Sequence, residues 1–284
     1  MTAIDIAEVG KIITDVAVAE VMPRFCRLQS GDIETKRDKT VVTIADRETE
    51  KVLSARLQNY LPGSVIVGEE SCEHTPEILS RFSDDHDIWV IDPIDGTRQF
   101  VDGKPGFAVM VALMRQRQTI AAWIHDPVSG DMLFGERGSG VWLGNKKMQL
   151  AGKDPAIPGR GIIGARLKSN LNKPEFTPIK KLLPDLDSGK ASGFDYARLF
   201  TGGSTFADSS DPRASFLLYR RSKAWDHLPG LFLHKEAGGY SANFFGKPYD
   251  MQKEDHGLLV AVDEEEWKSL LAIFKPVLDS LTLD

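Results

Sequence analysis

Two carboxylates follow directly on an apolar run in Trp89-Val90-Ile91-Asp92-Pro93-Ile94-Asp95-Gly96-Thr97. Ionised carboxylates held close together at the end of a buried strand repel each other and lose hydration, so the arrangement calls for a bound cation. A donor set made only of oxygen favours magnesium or manganese over zinc. Pro93 is expected to stop the strand and open a helix, with Asp95 in its first turn and the Gly96 and Thr97 amides aimed outward, where free N–H groups bind phosphate. Gly96 lets a ligand approach the backbone, and the Thr97 hydroxyl can position a water or an oxyanion.

Other acids repeat the pattern. Val65-Ile66-Val67 reads as a strand that delivers Gly68-Glu69-Glu70 to its end, where open α/β sheets place their ligand crevices. Trp225-Asp226-His227 precedes a helical run over Leu228 to Ala237, which puts Asp226 at or near a helix N-terminus. Each residue also has a plainer explanation. Asp46 completes a capping box with Thr43, Asp92-Pro93 suits a strand-ending turn, and Asp95 is a favourable charge at a helix start. Glu70 reads equally well as a solvated carboxylate. None of these explains why Glu69 and Asp226 recur at equivalent ends, which a shared metal site does. Ser83-Asp84-Asp85-His86-Asp87 lacks apolar scaffolding and reads as a solvated loop.

The elements that must position these residues alternate between helix and strand. Ile6, Val9, Ile13, Val16 and Ala17 recur at helical spacing, and a second helix is expected from about Ala45 to Tyr60, stopped by Leu61-Pro62-Gly63. A polar stretch runs on to Asp87. Phe107 to Met114, Ile120 to Ile124 and Met132 to Phe134 read as an antiparallel meander, with Gly138-Ser139-Gly140 a turn and not a nucleotide loop. The Pro- and Gly-rich segment Ala151 to Gly159 reads as a boundary. Residues 1–150 would form an N-terminal α+β half carrying Glu69, Asp92, Asp95 and Thr97, and residues 151–284 a C-terminal α/β half carrying Asp226. In that second half Gly161 to Ala165, Ser215 to Tyr219 and Leu258 to Val262 read as strands, and Glu264 to Leu278 as a helix.

Composition narrows the class. With 284 residues, 42% of them hydrophobic and 27% charged, the chain has the make-up of an ordinary globular protein. A net charge of −6 argues against nucleic acid as the main partner, but not against a phosphate substrate at a metal-bearing site. No run of about 18 apolar residues predicts a membrane span. Asp5 and Glu8 interrupt the N-terminus where a signal peptide would be apolar, so a cytoplasmic protein is expected. The two cysteines form no disulfide framework; Cys26 is expected to be buried packing, and Cys72 to lie near the site without acting as a nucleophile.

Taken together, Gly68-Glu69-Glu70, Asp92-Pro93-Ile94-Asp95-Gly96-Thr97, Trp225-Asp226 and Glu236-Ala237-Gly238-Gly239, with Thr43-Ile44-Ala45-Asp46 upstream and Gly246-Lys247-Pro248 downstream, resemble the inositol monophosphatase family over nearly the whole chain. The resemblance implies an α/β (α+β) fold, a layered α-β-α-β-α sandwich of the inositol monophosphatase and fructose-1,6-bisphosphatase type, with the metals at the junction between the halves. It implies a magnesium-dependent phosphomonoesterase that uses two or three Mg2+ ions, with Mn2+ as a substitute, on a small phosphorylated metabolite. Homodimers are common in the family. Glu69, Asp92 and the Ile94 carbonyl would hold one ion, and Asp92, Asp95 and Asp226 a second, clamping an in-line attack by metal-activated water on the phosphate. Glu69, Thr97 and Asp46 would be the catalytic group, Asp46 standing behind Thr97 as it orients the water. Asp95, Gly96, Thr97, Arg98, Arg198 and Asp226 would contact substrate, Arg198 through a loose match of Ala197-Arg198 to Gly203-Ser204 with a family substrate loop. Asp95→Asn would remove a ligand and leave the fold intact.

Where inositol-selective relatives carry an acidic residue ahead of the Trp-Asp pair, this chain has Tyr219, and Arg98, Phe100 and Gly103-Lys104-Pro105 look more like the histidinol-phosphate phosphatase branch. Histidinol phosphate and 3′(2′),5′-bisphosphate nucleotides therefore stand as alternative substrates to inositol monophosphate. A phosphate-binding regulatory protein that keeps the fold without turnover is the alternative of another class.

Overall fold

The apolar run that ends in Asp92 lies at the centre of the molecule, and the rest of the fold is arranged on its two faces. The computed structural model describes residues 4–36, 40–150, 159–202, 205–206 and 213–281. A short antiparallel hairpin, β1 (Ile33–Thr35) with β2 (Val41–Thr43), precedes a seven-stranded sheet. The strands of that sheet lie side by side in chain order: β3 (Val65–Gly68), β4 (Ile88–Asp95), β5 (Ala108–Arg115), β6 (Gln118–His125), β7 (Met132–Glu136), β8 (Val141–Leu143) and β9 (Lys146–Met148). β3 and β4 are parallel, and every later strand turns back on its predecessor, as the meander expects. The second sheet contains β10 (Gly161–Ile163), β11 (Leu186–Ser188), β12 (Phe216–Tyr219), β13 (Tyr240–Ala242) and β14 (Leu258–Ala261), in the order β11-β10-β12-β14-β13.

The helices are α1 (Ile6–Val16), α2 (Ile44–Tyr60), α3 (Glu69–His74), α4 (Thr97–Val101), α5 (Ala165–Asn170), α6 (Thr177–Leu182), α7 (Ser192–Ala197), α8 (Ala224–Glu236) and α9 (Glu264–Leu281). Because side chains alternate across a strand, each sheet has two apolar faces to cover. Trp89 and Ile91 of β4 pack with Val9 and Ile13 of α1 and with Leu53 and Leu57 of α2. Ile88 and Val90 point the other way, into a cluster with Tyr196 of α7, Leu228 and Leu233 of α8, and Leu217 and Val260 of the second sheet. Phe216, Leu218 and Leu259 face outward again, onto Leu270 and Phe274 of α9. The layers therefore read α-β-α-β-α. Among the described residues no helix is long and apolar enough to cross a membrane.

Four expectations are corrected. The polar stretch after Glu70 is not all loop: it forms α3 and a 3-10 segment over Pro76–Ser83, amphipathic enough to bury Phe82. β4 does not end at Pro93. Cys26 is exposed, in a left-handed conformation at φ +59°, with Sγ 3.7 Å from the Gly103 carbonyl, so it is not core packing. Glu70 is buried and ion-paired, not solvated. Cys72 is buried, which pushes its thiol up to about 12 and keeps it from being a nucleophile at neutral pH. The boundary expected over Ala151 to Gly159 lies, apart from Gly159, outside the described residues.

Candidate active site

Parallel pairing of β3 with β4 aligns Gly68 with Ile91, so the next residues, Glu69 and Asp92, leave the same sheet edge side by side. The β4–β5 register then shifts between Asp92 and Asp95. A bulge at this point accommodates Pro93, which has no N–H to give to the ladder. Asp95 is thus the last residue of the strand and not part of a helix, and α4 begins only at Thr97 after Gly96 turns the chain at φ +89°. A Cβ on Gly96 would lie 2.8 Å from the Ala191 Cβ and 3.0 Å from the Gly106 carbonyl oxygen. Gly96→Ala is therefore expected to lower unfolding free energy by about 1–3 kcal/mol, from left-handed strain with the clash in addition. Chemical denaturation of the variant measures this, and a wild-type midpoint would contradict it.

Asp226 arrives from the first turn of α8, whose apolar body packs across β4, β5 and β6. Asp92, Asp95 and Asp226 place carboxylate oxygens within 4.8 Å of one another. Burial is the largest cause of the upward shift at each: Asp92 is pushed well above the usual carboxylate range, Asp226 up to about 8 and Asp95 up to about 6. The charges of Glu69 and of the neighbouring aspartates add to it. These acids hold protons at neutral pH unless a cation replaces them, and an all-oxygen, closely spaced set fits a hard divalent ion.

Asp95 is lower than its neighbours because α7 satisfies it. Ser192 N and Oγ donate to Oδ1 at 3.0 and 2.8 Å, and Gly193 N donates to Oδ2 at 2.7 Å. Ser192 and Gly193 were not singled out in the sequence; the loose loop match at Ala197-Arg198 falls just past them, and its Gly203-Ser204 end lies outside the described residues. Arg198 does not reach the acidic cluster. It pairs with Asp187 and lines a neighbouring cavity, whereas Gly96, Thr97 and Arg98 line the acidic one.

Glu69 sits on the same cavity wall, held by Lys36, whose Nζ lies 2.8 Å from Glu69 and 2.7 Å from Glu70. Burial works against the Lys36 charge, but the two carboxylates outweigh it and raise Lys36 above the usual ammonium range. A further buried acid positions this corner. Glu50 of α2 accepts from Glu70 N at 2.7 Å and Ser71 N at 2.8 Å, capping α3 from outside. Nothing in the local sequence marks Glu50 or Lys36, because both act on residues far along the chain. Glu50→Ala would strand two backbone donors, with an expected cost of about 1–3 kcal/mol and a weaker divalent-ion affinity, both readable by titrating metal into the variant and melting it. An unchanged metal affinity would mean that α3 needs no such support.

Asp46 resolves its two readings by using both oxygens. Thr43 N and Oγ1 donate to Oδ2 at 2.8 and 2.6 Å, the capping box of α2. Oδ1 is left to accept from Thr97 Oγ1 at 3.1 Å. The same hydroxyl also lies 3.0 Å from the Ile94 carbonyl and has a single proton to give. Burial raises the Asp46 carboxyl to about 7.

Buried carboxylates that call for a cation, beside a hydroxyl–carboxylate pair able to accept a proton, define a metal-dependent phosphatase when set in this five-layer frame. Comparison with known proteins narrows that class. A profile described as the inositol monophosphatase family matches residues 5–276, and the chain belongs to that family of metal-dependent phosphoric monoester hydrolases. An inositol-1-monophosphatase of Mesorhizobium japonicum is 30% identical over 254 residues, 89% of this chain and 90% of that protein. A histidinol-phosphatase of Chlorobaculum parvum is 27% identical over 86% of this chain and 87% of its own length. A solved structure of an IMPase from Thermotoga maritima superposes with a TM-score of 0.78 over 96% of this chain and 98% of its own, at 21% identity, a likeness of fold.

Proposed function

We propose that the chain hydrolyses a small phosphoric monoester with magnesium held by Glu69, Asp92, the Ile94 carbonyl, Asp95 and Asp226, Asp92 lying between the ions. The observation that carries this reading is the convergence of Asp92, Asp95 and Asp226 in one cavity with Thr97. When bound, the ions supply the positive charge that offsets charge developing on a transferring phosphoryl group. The chain itself handles the proton. Thr43 ties down one oxygen of Asp46, so the other faces Thr97 Oγ1. As the attacking water gives a proton to Thr97 Oγ1, the Thr97 proton passes to Asp46 Oδ1, a group whose affinity for it is matched to neutral pH. The Gly96 and Thr97 amides and Arg98 border the space where the phosphate rests.

The leaving-group wall argues against strict inositol selectivity. Tyr219, standing where an acidic residue would meet inositol hydroxyls, spends its own hydroxyl on Asp195 at 2.5 Å. The reading is tested by phosphate release from inositol 1-phosphate, histidinol phosphate and adenosine 3′,5′-bisphosphate, each with magnesium and with chelator. Chelator-sensitive release from one member supports it, and no release from any favours a binding protein. Thr97→Val is expected to lower turnover by about a hundredfold or more while metal still raises the melting temperature, because the ligands are untouched. Wild-type turnover would remove Thr97 from the proton path.

A further inference from the structure

A second cavity, of about 360 Å³, opens beside the acidic one, and Lys190 lines both. Its far wall carries two guanidinium groups that converge on one carboxylate. Arg160 Nη2 and Arg198 Nη2 lie 3.0 and 2.5 Å from the same Asp187 oxygen. One carboxylate cannot neutralise two guanidiniums, so the group remains cationic. Lys190 is exposed and makes no ion pair with any described residue. Asp195, the other acid on the cavity, is buried and occupied by Tyr219, and its carboxyl is raised to about 8 chiefly by that burial, so it offsets little of this charge near neutral pH.

Charge of this kind held at a partly desolvated wall recognises an anion. We propose that Lys190 and the Arg160–Arg198 pair receive a second anionic group of the substrate, so that the preferred substrate is a phosphoric monoester whose leaving group carries a carboxylate or a further phosphate. The inference rests on the phosphatase reading of the acidic cavity. A neutral polyol leaves these three cations without a counter-charge, which makes the wall a determinant against such substrates.

Matched pairs test it on the magnesium-loaded enzyme. 2-Phosphoglycerate differs from glycerol 2-phosphate by a carboxylate in place of a hydroxymethyl group, and glucose 1,6-bisphosphate differs from glucose 1-phosphate by a phosphate. The charged member of at least one pair is expected to show a kcat/KM about tenfold or more above its neutral partner, the pair affected saying which anion is read. Lys190→Gln, at an exposed position that tolerates the change, and Arg198→Gln should each narrow that preference about tenfold, mainly through KM of the charged member. Equal kcat/KM within both pairs, with chelator-sensitive release, overturns the second subsite and leaves the phosphatase reading in place. A preference that survives both substitutions overturns the assignment to these residues. No chelator-sensitive release from any of the compounds removes the phosphatase reading, and the inference with it.

Discussion

Asp226→Asn is expected to reduce kcat/KM by roughly a thousandfold or more while leaving the metal-free fold at least as stable as wild type. The two effects have one cause. Asp226 is buried against Asp92 and shares a hydrogen bond with it, and its carboxyl is raised to about 8 by burial first and by Glu69 and Asp95 next. Without a cation the native state must either keep a proton there or bear adjacent charges. An amide of nearly the same size supplies the proton permanently, so the metal-free protein loses a repulsion and keeps the hydrogen bond to Asp92. With magnesium the amide is a poor ligand, and both turnover and the metal-induced rise in melting temperature should disappear. A variant that keeps wild-type kcat/KM, or that still gains stability from magnesium, would exclude Asp226 as a ligand. Asp95→Asn is the less informative substitution, contrary to the sequence-based expectation that it leaves the fold intact. Asp95 accepts from Ser192 N, Ser192 Oγ and Gly193 N, and an amide NH2 would face one of those donors.

In chelator, the protein should lose stability as pH rises from about 6.5 to 8.5, and excess magnesium should remove that loss. The sign follows from the direction of the shifts. Asp46, Asp195 and Asp226 have folded values near 7, 8 and 8, against 3.8 when exposed, with burial the main cause in each. Above pH 6.5 the unfolded chain has released these protons while the folded chain still holds some, so raising pH favours the unfolded state until the folded values are passed. The buried histidines do not confuse the window. Burial depresses His227 to about 3 and His234 to about 4, so both are neutral in the folded state throughout, and their contribution appears at lower pH. The expected loss is on the order of several kcal/mol, read as a falling melting temperature in chelator. Magnesium binds only the folded, deprotonated cluster, so its addition stabilises most at the alkaline end. A melting temperature that stays flat or rises over this range in chelator would show that the carboxylates are solvated.

Much of the frame follows from local pattern. The β-branched run before Asp92 reads as a doubly buried strand and is one, and the helical spacing in α1, α2 and α9 survives because each buries a single apolar face. Pro93 shows where such reading stops. A proline after a strand suits the first turn of a helix and a strand bulge equally well, and only pairing with β5 selects the bulge, which makes Asp95 a strand residue. Cys26 was likewise misjudged, because burial depends on what packs over a residue and not on its type.

The amino-acid sequence by itself determined the acids at element ends, the Thr43–Asp46 cap, the meander and the family, since each resides in neighbouring residues or in motifs along the chain. Which acids converge was decided by the tertiary structure. The parallel register of β3 on β4 sets Glu69 beside Asp92, and packing of α8 across the sheet brings Asp226 to them. The partners that tune the site were decided there too: Lys36 on Glu69, Glu50 under α3, and Ser192 on Asp95 across 97 residues of chain. Hydrogen bonds and charges act over a few Å in space, and separation along the chain carries no signal of that proximity until the core has packed.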